Sequence, residues 1–110
     1  MNLNITFRNL EPSTFVHQKI REKATRLKKY FNGKVDIRWV CSVESERHIS
    51  EINVHAGHRY FHAKAENSNI YKTLDEALIK IKRQIKKINQ QLKNKIHRKN
   101  QIEYIPTLIN

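Results

Sequence analysis

One cysteine, two glycines and two prolines are all that the 110 residues contain. Lone Cys41 has no partner for an internal disulfide, so no covalent staple is available, and the pattern fits a reducing cytosol. So little Gly and Pro argues against a linker, and the length suits one compact domain with a small core. No apolar run approaches the length of a membrane span. The start, MNLNITFRNLEP, alternates polar and apolar residues where a secretory leader would carry a continuous apolar stretch. The expected setting is the cytoplasm. Acidic residues are scarce too: 10 Asp and Glu stand against 22 Lys and Arg, for a formal net charge of +12. Self-repulsion of that size costs stability, and a polyanionic partner is its natural explanation.

The excess charge is not spread evenly. Between Asn32 and Asn69 basic and acidic residues cancel. From Ser13 to Phe31, Lys19, Arg21, Lys23, Arg26, Lys28 and Lys29 face only Glu22. From Ile70 to Lys99, ten basic residues face only Asp75 and Glu76. Both cationic segments carry a helical repeat. Val16, Ile20, Ala24, Leu27 and Phe31 make residues 13–31 an amphipathic helix, with Ser13 as N-cap and Gly33 beyond its end. Ile70, Leu74, Ala77, Ile81, Ile85, Ile88 and Leu92 give the second helix its packing face. Lys80, Arg83 and Lys87 flank that face on one side and Lys82, Lys86 and Lys93 on the other. Helix-supporting acid–base pairs are few, Glu76–Lys80 being one.

The neutral remainder has the period of strands. Leu3, Ile5 and Phe7 mark the first. Val35, Ile37, Trp39, Cys41 and Val43 mark the second, alternating with Asp36, Arg38, Val40, Ser42 and Glu44. Ile52, Val54 and Ala56 mark a third after the turn ESER, and Phe61, Ala63 and Ala65 a fourth after GHR. The order β-α-β-β-β-α predicts an α+β sandwich of two layers. Its four-stranded mixed sheet starts with a parallel pair and continues as an antiparallel meander, with both helices side by side on one face. Two basic helices then become one patch.

Catalytic chemistry finds little support. If the turn after the third strand is centred on residues 58 and 59, His55 and His62 face each other on the open side of the sheet. Two imidazoles fall short of a zinc site, and no acidic or Cys partner is evident. Cys41 points inward beside Trp39, where a thiol behaves as a small apolar group. No nucleophile–base pattern, Gly-rich phosphate loop or zinc-knuckle spacing occurs. No enzyme, cofactor or metal is expected. A basic run is most often a solvated face. Here its segregation onto two neighbouring helices favours phosphate binding. A membrane-surface helix would need its apolar face free and aromatic anchors on it. This one must cover the sheet and has no Trp or Phe between Ile70 and Lys99. Tyr30, Tyr71, Gln84, Gln90 and Gln91 are candidate sugar or base contacts. With no helix-turn-helix or zinc-finger pattern, structured RNA read by shape suits the pattern better than a DNA sequence.

LNIT at the start, KATRLKKYF, HAKAE and IYKTLDEALIKIKRQIKK together resemble the ribosome hibernation-promoting factor and ribosome-associated inhibitor family, over roughly residues 1–93. The resemblance implies a fold similar to a double-stranded-RNA-binding domain. It also implies a non-enzymatic factor that binds the small ribosomal subunit and its 16S ribosomal RNA, in the channel for messenger and transfer RNA near the A and P sites. Translation would be inhibited reversibly under stress or in stationary phase. Lys80, Arg83 and Lys87 match the basic positions of the family's second helix, and Lys23 and Arg26 those of the first. Lys82 and Lys86 join them as expected RNA contacts from the charge pattern. Ile79 projects outward among the lysines, where relatives can carry an acid. The tail, HRKNQIEYIPTLIN, is not the acidic extension of the inhibitor branch, which favours the short hibernation-promoting type. Residues 1–96 are expected to be the ribosome-binding domain and 97–110 a flexible tail. The expected protein is a monomer off the ribosome, with a small ribosome modulation factor as a further partner. The rival expectation is a general double-stranded-RNA module acting on other RNAs.

Overall fold

The computed structural model describes residues 1–99, with side chains described as far as Asn94. Its elements are β1 (Asn2–Arg8), α1 (Thr14–Thr25), a 3-10 turn (Lys28–Tyr30), β2 (Asp36–Glu44), β3 (Arg47–Ala56), β4 (Arg59–Asn67) and α2 (Ile70–Lys99). The sheet order is β1-β2-β3-β4, with β1 and β2 parallel and the other pairs antiparallel. Both helices pack on one face, α1 over β1 and α2 over β3 and β4. That is the predicted α+β arrangement. The tail expected over residues 97–110 begins later, because α2 continues through Lys99; the rest of it lies outside the described residues.

One-sided strands bury their apolar set beneath the helices. Ile37, Trp39, Cys41, Ile52, Val54, Phe61, Ala63 and Ala65 meet Val16, Ile20 and Ala24 of α1 and Leu74, Ala77, Ile81 and Ile85 of α2. The small Ala63 and Ala65 of β4 leave room for the branched side chains of α2, the large-against-small fit that dense packing requires. Burial pushes the Cys41 thiol pKa up, opposed by a weaker contact with Ser50. Thus Cys41 is a packed core residue, as expected. Two buried hydroxyls pair with each other: Ser50 Oγ lies 2.9 Å from Thr73 Oγ1, which also donates to the Ile70 carbonyl.

Several expectations change in detail. The α-helix predicted over residues 13–31 stops at Thr25. Ser13 caps its start, accepting from the Val16 amide at 3.2 Å. Its end tightens into i→i+3 bonds from Leu27 to Ala24 and from Tyr30 to Leu27. That winding keeps Leu27 and Phe31 in the core. β3 begins at Arg47, earlier than predicted, because Ser45 and Glu46 form a two-residue turn with φ of 48° and 63°. The next turn is Gly57–His58, so Ala56 pairs with Arg59 and His55 faces Tyr60, not His62. Gly57, at φ 61°, supplies the left-handed first position of that turn. The open face is also less polar than expected, since Val40 and Ile49 are buried there. Leu78 joins the packing face of α2.

Candidate nucleic-acid interface

The start of α2 is fixed by side-chain capping. Asn69 Oδ1 accepts from the amides of Tyr71 (2.8 Å) and Lys72 (3.3 Å), satisfying two of the donors that a helix start leaves free. The turns that follow have two differently employed flanks. Tyr71 and Asp75 meet α1, and by helical spacing Lys82 and Lys86 continue the same side. Lys80 and Gln84 reach the opposite way, to β4. Lys80 Nζ donates to the Lys64 carbonyl at 2.8 Å. Gln84 accepts from the His62 amide at 3.2 Å and donates to the His62 carbonyl.

On α1, Phe15, Lys19, Lys23 and Arg26 recur at helical spacing on the side turned toward α2. Arg26, Arg83, Lys86 and Lys87 are exposed and Lys82 is half-buried. Among the described residues none of these five has a carboxylate within ion-pair distance. Lys80 is also exposed, although its ammonium already holds one backbone carbonyl.

Lys23 departs from its expected role. Its Nζ lies 2.5 Å from Asp75 Oδ1, with only 15% of the side chain exposed. Its charge is neutralised within the protein, and its place is between the helices. Gln84 departs as well, being committed to β4. The Glu76–Lys80 pair does not form: Glu76 accepts from Asn67 instead, at 2.9 Å.

The histidine pair is corrected by the register. His55 stacks on Tyr60, with ring centroids 4.2 Å apart and planes 4° from parallel. His62 Nε2 lies 2.7 Å from Glu51 Oε2. Each ring thus has its own partner, and no group of three or more His, Cys, Asp or Glu converges among the described residues. The open face carries a groove of about 520 Å³ lined by Asn4, Asp36, Arg38, Asn53 and His62, among others. Asp36 and Arg38 balance there, so the net positive surface belongs to the helices. Phe15, beside Lys19, is a part of that surface that the charge count passed over. Its i, i+4 spacing with Lys19 and Lys23 was the available signal.

Residues 3–93 match the family model described as Sigma 54 modulation protein / S30EA ribosomal protein. Proteins named ribosome hibernation promoting factor from Salmonella typhimurium and Escherichia coli are each 31% identical over 93 residues, 84% of this chain and 98% of theirs. The Klebsiella oxytoca protein of that name is 30% identical over the same span. The fold is shared with the N-terminal domain of Thermus thermophilus Protein Y, at a TM-score of 0.73 and 22% identity, covering 80% of this chain and 99% of that one. It is shared equally with a ribosomal subunit interface protein from Coxiella burnetii, at a TM-score of 0.73 and 20% identity, covering 82% and 99%. With its sequence motifs, its fold and nearly its whole described length in agreement, the chain belongs to the Sigma 54 modulation protein / S30EA ribosomal protein family, alongside the ribosome hibernation promoting factors.

Proposed function

We propose that this protein is a ribosome hibernation factor. It binds the small ribosomal subunit through phosphates of 16S ribosomal RNA, occupies the channel for messenger and transfer RNA near the A and P sites, and reversibly inhibits translation under stress or in stationary phase. The observation that carries this reading is the set of cations without carboxylate partners on one layer of the molecule: Arg26, Lys82, Arg83, Lys86 and Lys87, with Lys80 at its margin. Guanidinium and ammonium groups so arranged neutralise phosphates and release their counterions. The names of the relatives and the balanced charge of the sheet face support the same choice of partner and surface.

Inhibition by this route is occlusion and needs no covalent step, so the protein acts as a binding factor and not as an enzyme. It works in the cytoplasm as a monomer until it meets the ribosome, where a small ribosome modulation factor is a further partner. Residues 1–96 serve as the binding domain.

Co-sedimentation with purified small subunits tests this reading. Log affinity should fall linearly with log salt, each phosphate contact adding about 0.7–0.9 to the slope. Arg83→Glu, Lys86→Glu and Lys87→Glu combined should abolish binding with the melting temperature preserved, since all three side chains are exposed. Equal displacement by free duplex RNA, at matched phosphate concentration, would favour a general double-stranded-RNA module.

A further inference from the structure

Two aromatic rings are exposed on the helix layer. Phe15 in the first turn of α1 is 55% exposed, and Tyr71 in the first turn of α2 is 45% exposed. They touch edge to face, with centroids 5.9 Å apart and planes at 75°. That geometry covers part of one ring with the rim of the other and leaves ring surface open to solvent.

Their neighbours are cations. Lys19, one turn beyond Phe15, holds its Nζ 5.3 Å from the Phe15 ring centroid. Lys72 follows Tyr71 and is exposed. Phe15 shares its helix side with Arg26, and Tyr71 shares its own with Lys82 and Lys86. The rings therefore stand at one end of the same inter-helix surface that becomes basic toward the other end. Packing alone would not require this much exposed aromatic area, and neither ring belongs to the core. Aromatic rings interleaved with Lys and Arg match the needs of an unpaired nucleotide, whose base stacks on a ring while its phosphates meet the cations.

We propose that Phe15 and Tyr71 form a stacking platform for one unpaired base of the bound RNA. This rests on the reading of the helix layer as an RNA-binding surface and adds a selection rule to it. Phosphate contacts alone accept any strand, whereas a platform at the edge of the basic surface prefers RNA with a bulged or single-stranded nucleotide at that point. Every base has a π face, so the platform selects for an unpaired nucleotide without choosing its identity.

The test compares the parent with a Phe15→Leu/Tyr71→Leu variant, which keeps apolar bulk and removes both π faces. Binding to purified small subunits is measured across a range of salt, with the melting temperature as a folding control. Stacking is not ionic, so the variant should lose affinity on the order of tenfold at every salt concentration, with an unchanged salt slope. Phe15→Trp should retain the affinity. Its new indole should be quenched by a single-stranded oligonucleotide, unlike the buried Trp39 of the parent. Parent-like affinity in the double variant overturns the platform while leaving salt-dependent RNA binding in place. Quenching by subunits but not by any oligonucleotide also overturns it, by assigning the rings to a protein contact. Absence of salt-dependent binding in the parent itself instead defeats the underlying RNA-binding reading.

Discussion

Lys23 Nζ lies 2.5 Å from Asp75 Oδ1, tying the last turn of α1 to the second turn of α2 across 52 positions of sequence. The contact holds the two basic helices together with a carboxylate, at the cost of one cation withdrawn from the proposed RNA-binding surface. It accounts for an acid in a helix otherwise dominated by lysine.

Removing that acid should separate the two roles. Asp75→Asn is expected to tighten binding to small subunits and to steepen the salt slope by about 0.7–0.9, the contribution of one additional phosphate contact. The Asp75 side chain is 61% exposed, so solvent screening keeps the stability loss under about 1 kcal/mol. Salt titrations of both proteins check the first outcome and denaturant melts the second. An unchanged slope would mean that Lys23 stands away from the RNA even when freed.

The hydroxyl pair beneath α2 gives a prediction about stability. Thr73→Val leaves the Ser50 hydroxyl buried with only Cys41 Sγ, 3.8 Å away, as a neighbour. An unpaired buried hydroxyl costs about 1–3 kcal/mol. Adding Ser50→Ala removes the orphaned group, so the double variant should be less destabilised than the two single losses added together. Urea midpoints at unchanged m-value provide the measurement.

The β2–β3 turn is the backbone's least comfortable stretch. Ser45 and Glu46 both hold positive φ without being glycine. Two-residue hairpins of this kind prefer Asn-Gly. Ser45→Asn with Glu46→Gly should therefore stabilise the fold by about 1 kcal/mol, raising Tm by roughly 4–8 °C. Neither residue is among the side chains proposed to meet RNA, so subunit binding should not change. A scanning thermal melt and one binding isotherm are sufficient.

The sheet and its two-helix cover were legible because period two and period 3.6 are carried by single side chains: Trp39 and Cys41 point inward, as do Ile81 and Ile85. What escaped depends on neighbours distant in sequence or on turn geometry. Centring the β3–β4 turn one residue earlier, on Gly57 and His58, shifts the pairing by two residues and parts His55 from His62 without changing their face. In the sequence Lys23 looks free and Lys80 looks paired with Glu76. Only the fold brings Asp75 to one and the Lys64 carbonyl to the other. Val40 occupies an outward position by alternation and is buried nonetheless, lying between Thr6 and Glu51 in the register.

The reach of Gln84 and Lys80 onto β4 has a further consequence. β4 ends the sheet, and the backbone groups of His62 and Lys64 that these side chains occupy are the ones an incoming strand would need. Sheet-to-sheet growth into dimers or fibrils is thereby obstructed along the middle of β4. At high concentration, Gln84→Ala should weaken that protection, because a terminal strand stripped of its cover becomes a template for another copy of itself.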